Sequence, residues 1–251
     1  MPFNFSGKKM LVTGAGKGIG HGVAIALSQS GCKVYAVSRT KSTLDTLVEE
    51  YPSIVPIEAD LCNWDDTRVK LEKLEALDGL VNNAGINSHD YTALECPREY
   101  LCKLLDNNLL SAINCSQVVA KKMIEAKVKG SIVNVSSIGG LASASNALPY
   151  HVSKAGLDMA TKQLALELGP HGIRVNFVNP AIVRTPMMQD LIGKGLPVES
   201  LAIERCPMGR IIEVNEVVDP ILYLLSDHSS MVTGQTHVVD GGILSNITVK
   251  I

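Results

Sequence analysis

Short apolar runs rich in β-branched residues recur along the chain at 9–13, 33–38, 54–57, 79–83, 131–136, 174–179 and 235–239. Most are apolar almost throughout rather than alternating, as expected for a strand covered on both faces, so they predict a parallel sheet. Between them lie longer stretches whose apolar residues fall three and four apart, such as Val23, Ala24 and Leu27. That spacing predicts amphipathic crossover helices. Strand and helix alternate without a linker or a break in composition. The pattern therefore predicts an α/β chain forming one domain over 1–251, a doubly wound seven-stranded parallel sheet with helices on both faces. One segment resists the scheme. At 185–208 a partly apolar stretch is interrupted by Pro186, Gly193, Gly195, Pro197 and Pro207, which predicts a mobile flap.

Composition narrows the function. Lys and Arg number 23 against 25 Asp and Glu, a net charge of −2, so no basic field is present to attract a nucleic acid. No apolar run approaches the roughly 20 residues of a membrane span. The amino terminus has no apolar signal core, and a cytoplasmic location is expected. The six cysteines form no CxxC pair and are expected to be reduced, and the histidines have no metal-ligand spacing, so no metal is expected.

Three motifs carry chemistry. Directly after the first run, Gly14, Gly16, Gly18 and Gly20 precede a helical pattern. Such a loop allows a tight turn and brings backbone N–H groups and the positive end of the following helix to a diphosphate. Asn83-Ala84-Gly85, after the fourth run, offers almost no side chain where the chain must pass close to a ligand. Tyr150 and Lys154, at i and i+4, share one helical face. A neighbouring ammonium lowers the pKa of a phenol, which prepares Tyr150 to exchange a proton with a carbonyl oxygen.

The order and spacing of these motifs resemble the short-chain dehydrogenase/reductase family. The loop reads Thr-Gly-x-x-x-Gly-x-Gly from Thr13, with Ile19 where the ordinary dinucleotide fingerprint has its third glycine. The resemblance covers nearly the whole chain and implies a Rossmann fold with a nicotinamide dinucleotide bound across it. It implies that Asp60 and Leu61 lie at the adenine, that Val183 and Thr185 hold the nicotinamide carboxamide, and that Tyr150 and Lys154 also bind the cofactor, Lys154 at the nicotinamide ribose hydroxyls. Ala181 stands where the family usually has glycine. The second run ends in Ser38-Arg39-Thr40 rather than in the acidic residue of NAD-dependent enzymes, and Lys17 lies in the glycine loop. Two cations at those places favour the 2′-phosphate of NADP(H). The resemblance also implies two further catalytic residues. One is Ser137, chosen over the adjacent Ser136 by the family's interval of about thirteen residues before the tyrosine. The other is Asn108, chosen over Asn107 because Leu109 follows it, with an amide that holds a water on the path from Lys154 to solvent.

Within the family, the stretches 12–20, 36–40, 165–171, 173–176 and 221–227 resemble the branch that reduces L-xylulose and α-dicarbonyls. The expected reaction is NADPH-dependent reduction of a small carbonyl compound, L-xylulose to xylitol or a diketone such as diacetyl. A 3-oxoacyl thioester reductase and a hydroxysteroid dehydrogenase remain alternatives, and a non-catalytic NADP-binding scaffold is a remote one. The wall between Ser137 and Tyr150 is small and mostly apolar, with Asn146 its obvious polar group, so Ser137, Asn146 and Tyr150 are the expected substrate contacts. The flap is expected to add Met187, Met188, Leu191 and Ile192. Family resemblance and the apolar stretches 109–119 and 157–168 imply a homotetramer built as a dimer of dimers.

Overall fold

A computed structural model describes residues 3–87 and 89–246. The chain folds into β1 (Lys9–Thr13), α1 (Gly18–Gln29), β2 (Lys33–Ser38), α2 (Lys41–Glu50), β3 (Val55–Glu58), α3 (Trp64–Glu72) and β4 (Gly79–Asn82). Next come α4 (Arg98–Leu105), a π-helical turn (Asp106–Leu110), α5 (Ser111–Glu125), β5 (Ser131–Val135), a 3₁₀ turn (Ile138–Gly140) and α6 (Leu148–Leu168). The chain ends with β6 (Arg174–Pro180), α7 (Pro186–Gly193), α8 (Val198–Arg205), α9 (Val214–Leu225) and β7 (Thr236–Val239). The strands form one parallel sheet in the order β3-β2-β1-β4-β5-β6-β7.

Side-chain alternation explains why the strand runs are apolar throughout. Met10 and Val12 of β1 and Val34 and Ala36 of β2 join the core under α1, α2 and α9. Leu11, Tyr35 and Val37 face the other way, into the core under α3, α5 and α6. With both faces buried, the interior positions of these strands leave no room for a solvated side chain, and only their end residues reach solvent. Winding reverses between β1 and β4, which are neighbours although two strands intervene in sequence. Such a reversal opens a crevice at the carboxyl ends of the strands, the place where open α/β sheets bind ligands.

The segment expected to be a mobile flap contains two helices, α7 and α8, which occupy most of it. Its prolines sit at helix starts, Pro186 in the first turn of α7 and Pro197 capping α8, where a missing N–H is harmless. The two helices share a small core of Met188, Ala202 and Ile211, with Ile192 packed against it. Met188 is thus buried between the two helices, and Ile192 packs against it while remaining partly exposed. All six cysteines are free thiols. Among the described residues no helix is long and apolar enough to cross a membrane.

Candidate active site

The crevice is built first by a tether between β1 and β4. The Thr13 hydroxyl donates to Val81 O at 3.3 Å and accepts from the backbone N–H groups of Asn83 at 3.0 Å and Ala84 at 3.1 Å. Asn83 returns the contact, its amide donating to the carbonyls of Thr13 and Gly14. Gly14 takes φ +65° and Gly18 φ +61°, the left-handed region. A Cβ on Gly14 would lie 2.8 Å from the Asn83 amide nitrogen, and one on Gly16 would collide with Thr43. The loop is therefore drawn in too tightly for side chains at those points, and α1 begins at its edge. No side chain caps α1, and its first turn carries no acidic residue. Its leading N–H groups and positive dipole end are left for an anion, which is what a dinucleotide diphosphate requires.

A cleft of about 420 Å³ opens here. Every residue expected to bind cofactor lines it except Gly20, Val183, Tyr150 and Lys154. At its adenosine end Ser38 Oγ accepts from the Thr40 N–H at 3.2 Å and lies 3.3 Å from the Thr43 hydroxyl. Arg39 and Lys17 are exposed there, and neither is ion-paired to a carboxylate among the described residues. Asp60 and Leu61 line the same end, with Asp60 accepting from the Cys62 N–H. At the far end Thr185 approaches Gly18, and its hydroxyl donates to Val183 O at 3.3 Å. Val183 is fixed by a parallel bridge to Ile212. Ala181 needs no glycine conformation; its N–H donates to Val239 O at 2.9 Å.

The expected reacting residues converge beyond β5. Ser137 caps the 3₁₀ turn, its hydroxyl accepting from the Gly139 N–H at 3.0 Å, and it faces the Tyr150 side chain. Lys154 is 5% exposed, donates to Val135 O at 2.9 Å and holds its ammonium 5.8 Å from the centre of the Tyr150 ring. Burial pushes the Lys154 ammonium down to about 8, against the pull of Asp158. Burial also raises the Tyr150 phenol, and the neighbouring Ser137 partly offsets it. The net direction is upward, so the phenol is the form that burial favours. Asn108 lies in the π-helical turn, 1% exposed. Its amide donates to Ile86 O and Ser153 Oγ, both at 3.0 Å, and accepts from the Ile86 N–H at 2.8 Å. Both amide hydrogens are therefore engaged in splinting the loop after β4 to α6. Asn107 is partly exposed and donates to Lys103 O within its own helix. Gly85 closes the group: a Cβ there would lie 3.1 Å from Asn108 Oδ1 and 3.8 Å from the Lys154 ammonium.

Comparison with known proteins accounts for this arrangement. The model of the family described as Enoyl-(Acyl carrier protein) reductase matches residues 14–244. L-xylulose reductase of Mus musculus is 44% identical over 245 residues, covering 98% of this chain and 100% of that protein. The chain belongs to the short-chain dehydrogenase/reductase family. Carbonyl reductase [NADPH] 2 of Sus scrofa is 42% identical over 246 residues, 98% of this chain and 100% of that one. A short-chain type dehydrogenase/reductase of Mycobacterium marinum superposes with a TM-score of 0.91 at 32% identity, covering 97% of this chain and 98% of that structure. The protein is thus an oxidoreductase of a family whose reductases use nicotinamide cofactors.

Several site residues of this family member escaped sequence reasoning. Thr13 was visible in the motif, but its tethering of β4 depends on strand order. Asn146, on the substrate wall, is exposed and adopts φ +60°. Around it the structure gathers polar groups from distant segments. His151 Nδ1 contacts Ala142 O at 2.7 Å, half-buried His89 faces the backbone of Ser145, and Asp90 pairs with Lys194 of the flap at 2.8 Å. The wall is more polar than its own sequence suggests. Nothing local in the sequence marks these groups as neighbours, since Asp90 and Lys194 are 104 residues apart.

Proposed function

We propose that the protein is an NADPH-dependent reductase of small carbonyl compounds, with L-xylulose, reduced to xylitol, and α-dicarbonyls such as diacetyl as its substrates. The observation that carries the reading is the meeting of Ser137, Tyr150 and Lys154 beyond β5, with the buried Lys154 ammonium 5.8 Å from the centre of the phenol ring. The bound nicotinamide supplies the hydride. Ser137 and Tyr150 direct hydroxyls at one point, where a carbonyl oxygen would accept from both. As negative charge develops on that oxygen, Tyr150 transfers its proton and becomes a phenolate beside Lys154. A raised phenol pKa suits this direction, because the donor enters the reaction protonated. Lys154 then stabilises the phenolate until solvent returns the proton.

Choice of cofactor follows from the unpaired Lys17 and Arg39 at the adenosine end, whose guanidinium and ammonium suit a 2′-phosphate. The printed name of the Sus scrofa relative, which specifies NADPH, supports the same choice. Substrate class is supported by the similarity to L-xylulose reductase and by the polar groups His89, Asn146 and His151 around the wall, which give a polyol hydrogen-bond partners. A homotetramer is supported by the outward face of α6, where Val152, Met159 and Leu166 recur every seven residues, 44%, 63% and 72% exposed. Initial rates with NADPH against L-xylulose, diacetyl, a steroid ketone and an acetoacetyl thioester test the reading. Turnover of the first two should exceed that of the others, and preference for the thioester or the steroid would overturn it.

A further inference from the structure

Two buried polar residues stand beside the reacting set without a part in the chemistry above. Asp158, one helical turn beyond Lys154 on α6, is 6% exposed, and Asn179 near the end of β6 is fully buried. The Asn179 amide donates one hydrogen to the carbonyl of Ser137 at 2.7 Å and the other to Asp158 Oδ2 at 3.1 Å. Its own oxygen accepts from the Thr236 hydroxyl at 2.9 Å. Asn179 is thereby held on one side by β7 and on the other ties the backbone of Ser137 to α6. The nearby Ser136 hydroxyl donates to the carbonyl of Lys154 at 3.3 Å, while Asp158 Oδ1 is buried with no partner. The 3₁₀ turn lies directly on this carboxylate, since a Cβ on Gly140 would collide with it.

A carboxylate in this position is an expensive way to fill space. Desolvation disfavours it unless a positive charge answers it, and one of its oxygens has no donor. The charged groups that face it are Lys154 and Lys162 of its own helix; β5, β6 and the 3₁₀ turn offer only Ser136, Asn179 and backbone. Of the cations, Lys162 is on the outer side of α6 and Lys154 is the buried one. We propose that Asp158 and Asn179 are a positioning couple for the reduction: Asn179 fixes the backbone of Ser137 against α6, and Asp158 supplies the buried counter-charge to the Lys154 ammonium. The proposal rests on the carbonyl reductase reading for its kinetic consequences only.

Two variants of the full-length protein test the couple. Asp158→Asn keeps the shape and the acceptor for Asn179 but removes the charge. Its Lys154 titration, followed by NMR of ¹³C-labelled lysine and assigned through Lys154→Arg, should move down by about one pH unit. The alkaline limb of kcat should move with it. Asn179→Ala keeps the charge and cuts the tether, so kcat should fall about tenfold with the KM for NADPH unchanged. A purely structural role would lower the melting temperature of both variants without moving the lysine titration or splitting kcat from KM. An unshifted Lys154 midpoint in Asp158→Asn, or a wild-type kcat in Asn179→Ala, would overturn the proposal. Where Asp158→Asn does not fold, the Asn179→Ala arm decides. Absence of carbonyl reduction by the wild type would instead remove the functional reading, and the lysine titration would still report on Asp158.

Discussion

Cofactor selectivity gives the sharpest test, because it depends on two exposed side chains remote from the reacting atoms. Consider Arg39→Asp combined with Lys17→Ala. A hydrogen bond to a charged group is worth about 1.5–3 kcal/mol when shielded, but both side chains here are exposed, so about 1 kcal/mol each is the better figure. Loss of both removes about 2 kcal/mol. The new carboxylate then faces a 2′-phosphate of about two charges; at ~5 Å in water Coulomb's law gives ~1.7 kcal/mol of repulsion, and salt reduces it to about 1 kcal/mol. The sum, about 3 kcal/mol, is roughly two orders of magnitude in the NADPH dissociation constant. NADH lacks the phosphate, and its adenosine ribose hydroxyls can bond the new carboxylate, so its affinity should hold or improve. Calorimetric titration of wild type and variant with each cofactor, at low and at raised ionic strength, measures all four constants. The wild-type preference for NADPH should also shrink with salt. Equal losses for the two cofactors, or a wild-type preference indifferent to salt, would refute the assignment of Lys17 and Arg39.

Tyr150→Phe should lower kcat about 10³-fold with cofactor affinity intact, checked by steady-state rates beside a binding titration. Lys154 is an ammonium below about 8 and loses its charge as the pH rises through that value, while Tyr150 stays a phenol, so the reduction rate should fall on the alkaline side of about pH 8. A pH profile of kcat at saturating cofactor reads this directly. Met159→Glu with Leu166→Glu places charge on the exposed apolar face of α6, which should reduce the assembly to a smaller species in light scattering while leaving the helical signal of the fold unchanged.

How much of this was legible in the sequence depended on whether a feature is local. All seven strands fall within a residue or two of the apolar runs; in the interior strands burial on both faces leaves a continuous signature, while the edge strands β3 and β7 are half-exposed. Gly14, Gly16, Gly18 and Gly20 were readable for a similar reason: each stands where a Cβ would strike a neighbour or where the chain turns back. Asn108 could be named only by resemblance. The π-helical turn that presents it has no sequence mark of its own, and Asn107 matches it in chemistry while facing the other way. The helices of the flap were not legible, because Pro186 and Pro197 stand at helix starts and Gly193 and Gly195 at and just beyond the end of α7, where they do not break a helix. Asp158 was in plain view, four residues after Lys154, yet its burial follows from Gly140 and Asn179, which arrive from elsewhere in the chain.

The asparagines of the strands show why reading such runs as apolar is incomplete. Asn82, Asn134, Asn176 and Asn179 are all at most 3% exposed, within segments that otherwise read as core. Asn82 and Asn134 face each other across β4 and β5, joined at 2.8 Å, and Asn82 also donates to Ser116 of α5. Asn134 donates in turn to Thr161 of α6 at 2.7 Å. Replacing such a network with matched apolar side chains is often neutral for stability, whereas removing one partner strands another at about 1–3 kcal/mol. Stability alone therefore does not explain it, but register does. Thr161 lies seven residues, about two turns, beyond Lys154 and shares its helical face. A hydrogen bond from β5 to Thr161 fixes α6 in both rotation and translation against the strand that carries Ser137, and so sets the Ser137–Tyr150–Lys154 geometry from below. An apolar contact would bury the same area and permit the slide.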